Sequence, residues 1–289
     1  MRRRRLERGF ASRNYGTPEY YLALLKDCAN NKDLKEGNCL HLDILQKGLL
    51  DKSPYLGRAL ISMYARCGNM EKATEILEKL CVRDVVSWSI LITSYTHQRK
   101  FRESLLCFER MRNEGIFPDP IAFTCILKAC GSTGTVDMGD HIYEEIVSRG
   151  LLEKNLMVGN ALVDMYVKCG MLMKAQEVFE DLHGRNIASW NAIITAFAQE
   201  PEQGRKAVNY FERLQSQLGL CPDSVTFICT LRACGKIRSV ETGQYMHMEL
   251  MKQALDRDPL VNNSLIDMYA KFGWISEAQE IFDQLSDHN

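Results

Sequence analysis

Cysteine and histidine are the side chains in this sequence best suited to bind a metal or to act as nucleophiles. The chain has 11 cysteines and 6 histidines among 289 residues. No two cysteines form a Cys-x-x-Cys motif, and the pairs Cys125/Cys130 and Cys229/Cys234 are five residues apart. On a helix that spacing separates two side chains by about 140°, which is a poor geometry for chelation. The sequence therefore predicts no metal site and no cofactor, and it predicts reduced thiols that pack as small apolar side chains.

Short motifs that build common catalytic sites are also missing from the sequence. It contains no glycine-rich phosphate loop, no Gly-x-Ser-x-Gly turn and no His-Glu-x-x-His helix. Trp88 and Trp190 occur in matching sequence contexts, which favours a shared packing role over isolated stacking surfaces. We therefore predict no catalytic residues and no small-molecule substrate.

The charge of the chain is distributed unevenly. The whole sequence has 36 basic and 37 acidic residues, and residues 1–17 hold six arginines and one glutamate. Residues 18–289 thus hold 30 basic and 36 acidic residues, a net charge of −6. This composition disfavours a partner bound mainly through phosphate neutralisation. No stretch approaches the roughly 20 apolar residues that span a bilayer, so we predict no membrane partner.

Residues 1–17 form a basic tail that precedes the rest of the chain. Its four consecutive arginines and single acidic residue, Glu7, are typical of an organelle transit peptide, and it lacks the apolar segment of a secretory signal. The sequence predicts a partial transit peptide here. A solvated basic tail or a truncated gene start is the alternative.

Internal repeats indicate the architecture. The segment 59–68, Ala-Leu-Ile-Ser-Met-Tyr-Ala-Arg-Cys-Gly, recurs at 161–170 and 264–273, at offsets of 102 and 103 residues. Two further segment types alternate with it, so each long offset is the sum of three shorter units. These segments are 127–131 with 231–235, and 87–92 with 189–194.

Each unit has the pattern of two helices. In 156–186, the apolar residues Leu162, Met165 and Cys169 recur at helical spacing, and Gly170 ends the first helix. A hairpin of this length cannot bury both faces alone, so neighbouring units must stack. We predict an all-α fold, a right-handed superhelical solenoid of about 16 helices with a concave groove. The predicted repeat units are 18–53, 54–84, 85–119, 120–155, 156–186, 187–223, 224–258 and 259–289.

The chain resembles the pentatricopeptide repeat (PPR) family of plant organelle RNA-binding proteins. Residues 85–92, Val-Val-Ser-Trp-Ser-Ile-Leu-Ile, are similar to the opening of that family's unit, and residues 115–119 are similar to its close. The alternating unit lengths resemble its long/short (PLS) subclass, which is associated with editing of organelle transcripts. The tetratricopeptide repeat, which binds peptides, fits less well because its Trp-Leu-Gly-Tyr pattern is missing. The resemblance implies a location in a mitochondrion or chloroplast.

Recognition of single-stranded RNA needs an apolar surface against each base and a polar pair at its edge. The fifth and last residues of a unit face the base edge in this family. Ser89 with Asp119 then implies guanine, and Asn191 with Asp223 implies uracil. The other implied pairs are Asn160 with Asn186 and Asn263 with Asn289 for pyrimidines, and Thr124 with Asn155 for adenine. No code fits Leu22 with Ser53, Arg58 with Asp84, or Ile228 with Asp258, and these units are interpreted as spacers or, through Arg58, as RNA-backbone contacts.

The second residue of most units is apolar and is the candidate for packing against a base. These residues are Val86, Ile121, Met157, Ala188, Val225 and Leu260. The alternative for the polar pairs is local structure, because Asp and Asn are favoured helix N-caps. The recurrence of the pairs at the same register favours recognition.

Editing proteins of this family often carry a zinc deaminase domain, whose signature is His-x-Glu followed by Pro-Cys-x-x-Cys. The triplet His247-Met248-Glu249 matches only the first part, since no Cys-x-x-Cys follows. The resemblance therefore implies a specificity factor for cytidine-to-uridine editing, with a deaminase-bearing partner acting in trans. Two alternatives stay open: a protein-interaction scaffold, which the charge of −6 favours, and a truncated, non-functional copy, which the end at Asn289 favours.

Overall fold

The computed structural model describes residues 16–50, 53–200, 202–217, 219–255 and 258–286. The predicted tail up to residue 15 and Asn289 lie outside the described residues. The described residues contain 17 helices and no strand. The chain separates into two compact modules, Met1–Thr133 and Gly134–Asn289, which we call the N-terminal and the C-terminal module.

Three helical hairpins and one further helix build the N-terminal module. Helices α1, α3, α5 and α7 pack side by side, and α2, α4 and α6 each fold back on the helix before them. The bounds are α1 Pro18–Asn31, α2 Leu34–Gln46, α3 Pro54–Arg66, α4 Met70–Lys79, α5 Val85–His97, α6 Phe101–Asn113 and α7 Pro120–Thr133.

The C-terminal module repeats the same arrangement. Helices α10, α12, α14 and α16 pack side by side, and each is followed by its own antiparallel partner. The module begins with α8 and the single-turn helix α9, which pack against α10. The bounds are α8 Val136–Ser148, α9 Leu151–Lys154, α10 Leu156–Lys168, α11 Leu172–Asp181, α12 Ile187–Gln199, α13 Gly204–Gln215, α14 Ser224–Ile237, α15 Val240–Lys252, α16 Pro259–Phe272 and α17 Ile275–Ser286.

Local sequence explains where the first helix of each hairpin begins. Proline stands in the first turn of α1, α3 and α16, where its missing N–H costs no hydrogen bond. Gly170 follows α10 with φ +74°, a left-handed conformation that favours glycine. The first helices start at the first residues of the predicted repeat units: Pro18, Pro54, Val85, Pro120, Leu156, Ile187, Ser224 and Pro259. The eight-unit division itself stays a prediction.

Large side chains from the first helices form the core of each module. Trp88 and Trp190 are fully buried, which confirms their packing role. In the predicted units 54–84 and 156–186, a buried tyrosine bonds to the second helix of the unit before it. The Tyr64 hydroxyl donates to Asn38 Oδ1 (2.8 Å), and the Tyr166 hydroxyl donates to Asp140 Oδ1 (2.8 Å). These repeated contacts hold neighbouring hairpins at a fixed register, and the predicted all-α helical-hairpin architecture is confirmed.

Candidate nucleic-acid interface

The last residue of a repeat unit is also the N-cap of the next hairpin. Asp223 shows the geometry: its Oδ1 accepts a hydrogen bond from the Thr226 backbone N–H (2.9 Å), and the Asp223 backbone N–H donates to Thr226 Oγ1 (3.2 Å). This capping box fixes the carboxylate at the start of α14. The same box forms at Asp84 with Ser87 and at Asn186 with Ser189.

Fifth-position side chains reach these N-caps across the interface between hairpins. Asn191 Nδ2 lies 3.0 Å from both Oδ1 and Oδ2 of Asp223. The structure thus brings together a helix-capping group and a side chain on the neighbouring helix, roughly one repeat unit away in sequence. Two further predicted pairs meet in the same way, Ser89 Oγ with Asp119 Oδ1 (3.0 Å) and Asn160 Nδ2 with Asn186 Oδ1 (3.3 Å).

The other two predicted pairs have different surroundings. Thr124 belongs to the N-terminal module and donates to the Pro120 carbonyl (2.8 Å). Asn155 belongs to the C-terminal module, and its Oδ1 accepts from the Met157 N–H (3.1 Å) as the N-cap of α10. Asn263 is exposed on α16, and its predicted partner, Asn289, lies outside the described residues.

Hydrogen bonding sets the charge state of the capping carboxylates. Burial alone would raise the pKa of Asp223, but hydrogen bonds from Thr226 and Asn191 outweigh it and lower the pKa. The pKa of Asp84 is lowered for a similar reason, with Ser87 and Arg58 as the donors. Both groups therefore remain negatively charged acceptors at neutral pH. Ser89, the partner of Asp119, is buried, and only 6 % of its surface is accessible to solvent.

Two positions after the residue that precedes each of these repeat units, the chain has an exposed apolar side chain, the second residue of the unit. Exposed apolar side chains of this size, recurring at one register, are suited to packing against the face of a planar base. The exposed fractions are 41 % for Val86, 55 % for Ile121, 64 % for Met157, 50 % for Val225 and 66 % for Leu260, and Ala188 is also exposed.

Tyr55 is a candidate that the sequence analysis missed. It is the second residue of the predicted unit 54–84 and is 64 % exposed. The Arg58 guanidinium lies 5.2 Å from the centre of its ring and is also ion-paired with Asp84. Its place as the second residue of a repeat unit would have been enough to identify this tyrosine from the sequence. The structure places the Arg58 guanidinium between the Tyr55 ring and the Asp84 carboxylate, two groups of the protein itself.

His247, from the partial deaminase motif, is part of the packing between hairpins. Its Nδ1 lies 2.9 Å from the Tyr269 hydroxyl, and His41 Nδ1 makes the equivalent contact with Tyr64 (3.0 Å). Within the ranges that the structure describes, His, Cys, Asp and Glu form no group of three or more placed to hold a metal. None of the helices in those ranges combines the length and apolar character that a membrane span requires.

Stacked antiparallel helix pairs with polar groups at matching positions define a helical-repeat protein. The sequence profile of the PPR repeat family matches residues 83–132, and that of the single PPR repeat matches residues 58–85, 121–151, 160–187 and 263–289. Together these matches cover more than half of the sequence. The chain belongs to the pentatricopeptide repeat family.

Two curated proteins of Arabidopsis thaliana are similar to this chain. A mitochondrial pentatricopeptide repeat-containing protein is 35 % identical over 255 residues, which is 88 % of this chain and 24 % of the relative. A chloroplastic one is 33 % identical over 255 residues, or 88 % of this chain and 31 % of the relative. The chain spans less than a third of the length of these two proteins. Their names place them in one organelle or the other, in agreement with the predicted location in a mitochondrion or chloroplast.

The fold is also similar to that of a solved structure. The maize pentatricopeptide repeat protein PPR10, in complex with an 18-nt psaJ RNA element, superposes with a TM-score of 0.69 at 17 % identity. The match covers 95 % of this chain and 38 % of PPR10. This similarity supports the predicted solenoid fold class.

Proposed function

We propose that the chain binds single-stranded RNA in a sequence-specific manner, with one nucleotide for each reading unit. The observation that carries this proposal is the contact between fifth and last side chains, as in Asn191 with Asp223, together with an exposed apolar second residue at a constant register. Packing of a base against such an apolar residue adds affinity without sequence preference. The polar pair supplies the discrimination between bases.

The chemistry of each pair matches a base edge. Asn191 offers an N–H donor beside the Asp223 carboxylate, an acceptor, and the uracil edge offers carbonyl acceptors beside its N3–H donor. Ser89 offers a hydroxyl beside the Asp119 carboxylate, which suits the N1–H and amino donors of guanine. Read along the eight predicted units from the N-terminus, the preferred sequence is N-N-G-A-Y-U-N-Y in the 5′ to 3′ direction.

We further propose that the protein acts in an organelle as a specificity factor for cytidine-to-uridine editing. The alternating unit lengths support this role. In this proposal the chain binds RNA without catalysing the reaction, and a deaminase-bearing partner acts in trans. Engagement of His247 with Tyr269 favours a structural role for that histidine over a catalytic one.

Binding to a complete array of eight-nucleotide RNAs tests the proposed function. We expect enrichment of guanine two positions before a pyrimidine–uracil core. The double variant Asn191→Ala with Asp223→Ala should lose the preference for uracil at one nucleotide and keep the others. An array with no enriched sequence would refute the proposal.

A protein-interaction scaffold is the second candidate, and one observation favours it. Residues 18–289 carry a net charge of −6, which opposes association with a polyanion. If the protein is a scaffold, the parent protein and the double variant should bind uridine-rich RNA equally weakly. Equal binding by the two proteins would therefore favour the scaffold.

A further inference from the structure

In two of the fifth–last pairs, the fifth-position asparagine also contacts a hydroxyl side chain from the next repeat unit. Thr226, the third residue of its repeat unit, lies with its Oγ1 2.6 Å from Asn191 Oδ1. Ser189 has the same position one unit earlier, and its Oγ lies 2.6 Å from Asn160 Oδ1. Both hydroxyl-bearing residues are fully buried. These buried contacts cross from one hairpin to the next.

The hydroxyl contact determines which atom of the asparagine amide remains available for a hydrogen bond to a base. A hydroxyl donates one proton. The shortest oxygen contact of Thr226 is with Asn191, and that of Ser189 is with Asn160. Thr226 Oγ1 is 2.6 Å from Asn191 but 2.8 Å from Asp223 Oδ1. Asn191 Oδ1 is thereby engaged, and Nδ2 uses one of its two hydrogens toward Asp223. The second Nδ2 hydrogen remains available as a donor.

We propose that Thr226 and Ser189 are positioning residues that orient the asparagine amide so that it presents a donor to the base. This inference rests on the proposed function. A donor matches the O4 carbonyl of uracil, whereas the N4 amino group of cytosine is itself a donor. A freely rotating amide would accommodate either base by turning its oxygen outward. Fixing the amide therefore favours uracil over cytosine at the nucleotide read by Asn191.

The chain offers a matched control at Ser87. This residue is also the hydroxyl of a capping box, and its Oγ donates to the Asp84 carbonyl (2.8 Å). The fifth-position residue beside it is Arg58, which has no amide to orient. Ser87→Ala therefore removes a capping hydroxyl and leaves no asparagine amide unrestrained.

The test compares the affinities of the full chain for two RNAs that differ only by uracil or cytosine at the nucleotide read by Asn191. We expect Thr226→Val to lower the uracil-to-cytosine affinity ratio at least about fivefold, the lower end of the discrimination by one base-edge contact. Thr226→Ser should restore the ratio, because it restores the hydroxyl. Ser87→Ala should leave the uracil-to-cytosine affinity ratio unchanged. It should lower the thermal unfolding midpoint about as much as Thr226→Val does.

Two results separate this inference from the proposed function. A parent-like ratio in Thr226→Val would overturn the positioning role and leave the proposed function standing. A parent protein without base preference at any nucleotide would overturn both. If Thr226→Val does not fold, Thr226→Ala, which also removes the hydroxyl that contacts Asn191, tests the same uracil-to-cytosine ratio at the same nucleotide.

Discussion

Two aspartates, Asp223 and Asp258, allow helix capping to be separated from pair formation. Both are N-caps, of α14 and α16 respectively. Asp258 Oδ1 accepts from the Leu260 N–H (2.9 Å), and the fifth-position residue of its unit, Ile228, has no side-chain hydrogen-bonding group. Asp223 combines the cap with two contacts from Asn191 at 3.0 Å. Substitution of each by alanine should therefore have different consequences.

The expected cost follows from these contacts. Loss of an N-cap costs about 0.5–2 kcal/mol of stability, so Asp258→Ala should lower the free energy of unfolding by about 1 kcal/mol. Asp223→Ala also removes the partner of the Asn191 amide, and each lost hydrogen bond adds about 0.5–1.5 kcal/mol. Because one Nδ2 hydrogen is shared between the two carboxylate oxygens, we expect Asp223→Ala to cost about 0.5–1.5 kcal/mol more than Asp258→Ala. Asp223→Asn should cost less than Asp223→Ala, because asparagine is an equally good cap.

Urea unfolding followed by circular dichroism at the helix band measures this difference. The midpoints and slopes of the variants are compared with those of the parent chain. The same proteins are then tested on RNA, where Asp223→Ala should lose base preference at one nucleotide and Asp258→Ala should keep the preference of the parent. Equal midpoint shifts for the two alanine variants would refute the inference that the Asn191–Asp223 contact stabilises the stack.

Three further substitutions test the packing, the aromatic surface and the acid dependence of the fold. A Cβ at Gly204 would lie 2.7 Å from Ile237 Cγ2 and 3.3 Å from the Ala233 carbonyl oxygen, so Gly204→Ala should destabilise the chain by about 1–3 kcal/mol through overpacking, as measured by urea unfolding. Tyr55→Ala should weaken RNA binding by about 1–3 kcal/mol without changing base preference, as measured by titration with labelled RNA. Burial would raise the pKa of Asp140, but hydrogen bonds from Lys174 and Tyr166 lower it below the unfolded value of about 3.9. Its stabilising effect is therefore present above that pH and is lost as the pH falls through the folded-state pKa, which urea midpoints measured from about pH 6 to pH 3 should show.

Each of these substitutions has a control in the chain. Gly184 has open space around its Cα and no positive φ, so Gly184→Ala should leave stability unchanged or slightly higher. Val82 is 71 % exposed outside the second-position register, and Val82→Ala should bind RNA like the parent. Asp140→Asn should flatten the acid limb of the stability profile. An unchanged limb would contradict the assignment of acid sensitivity to Asp140.

Features that depend on local sequence were predictable. Proline at the first helical position and Asp or Asn at the N-cap mark helix starts such as Pro54 and Ser224, because capping involves residues within one turn. Repetition fixed the register, and the resemblance to the family then implied the pairing of Asn191 with Asp223 before any coordinates were known. The long/short subclass and the editing role stay predictions, because they concern the whole protein and its partners.

Features that depend on contacts between hairpins were harder to predict. The hydroxyl of Thr226 reaches Asn191 from 35 residues away, and nothing in either local segment signals the contact. His247 resembled half of a metal site in sequence, but its ring contacts Tyr269 on the next hairpin. The short helix α9 was not expected, since a four-residue turn carries no amphipathic period.

Conversion of one reading pair into another tests most directly whether the fifth and last side chains select the base. Asn191→Ser beside Asp223 recreates the combination found at Ser89 and Asp119. Selection of bound RNA from a pool randomised at the nucleotide read by this unit should show a change from uracil in the parent to guanine in the variant, with the neighbouring preferences unchanged. A variant that still selects uracil would contradict the account.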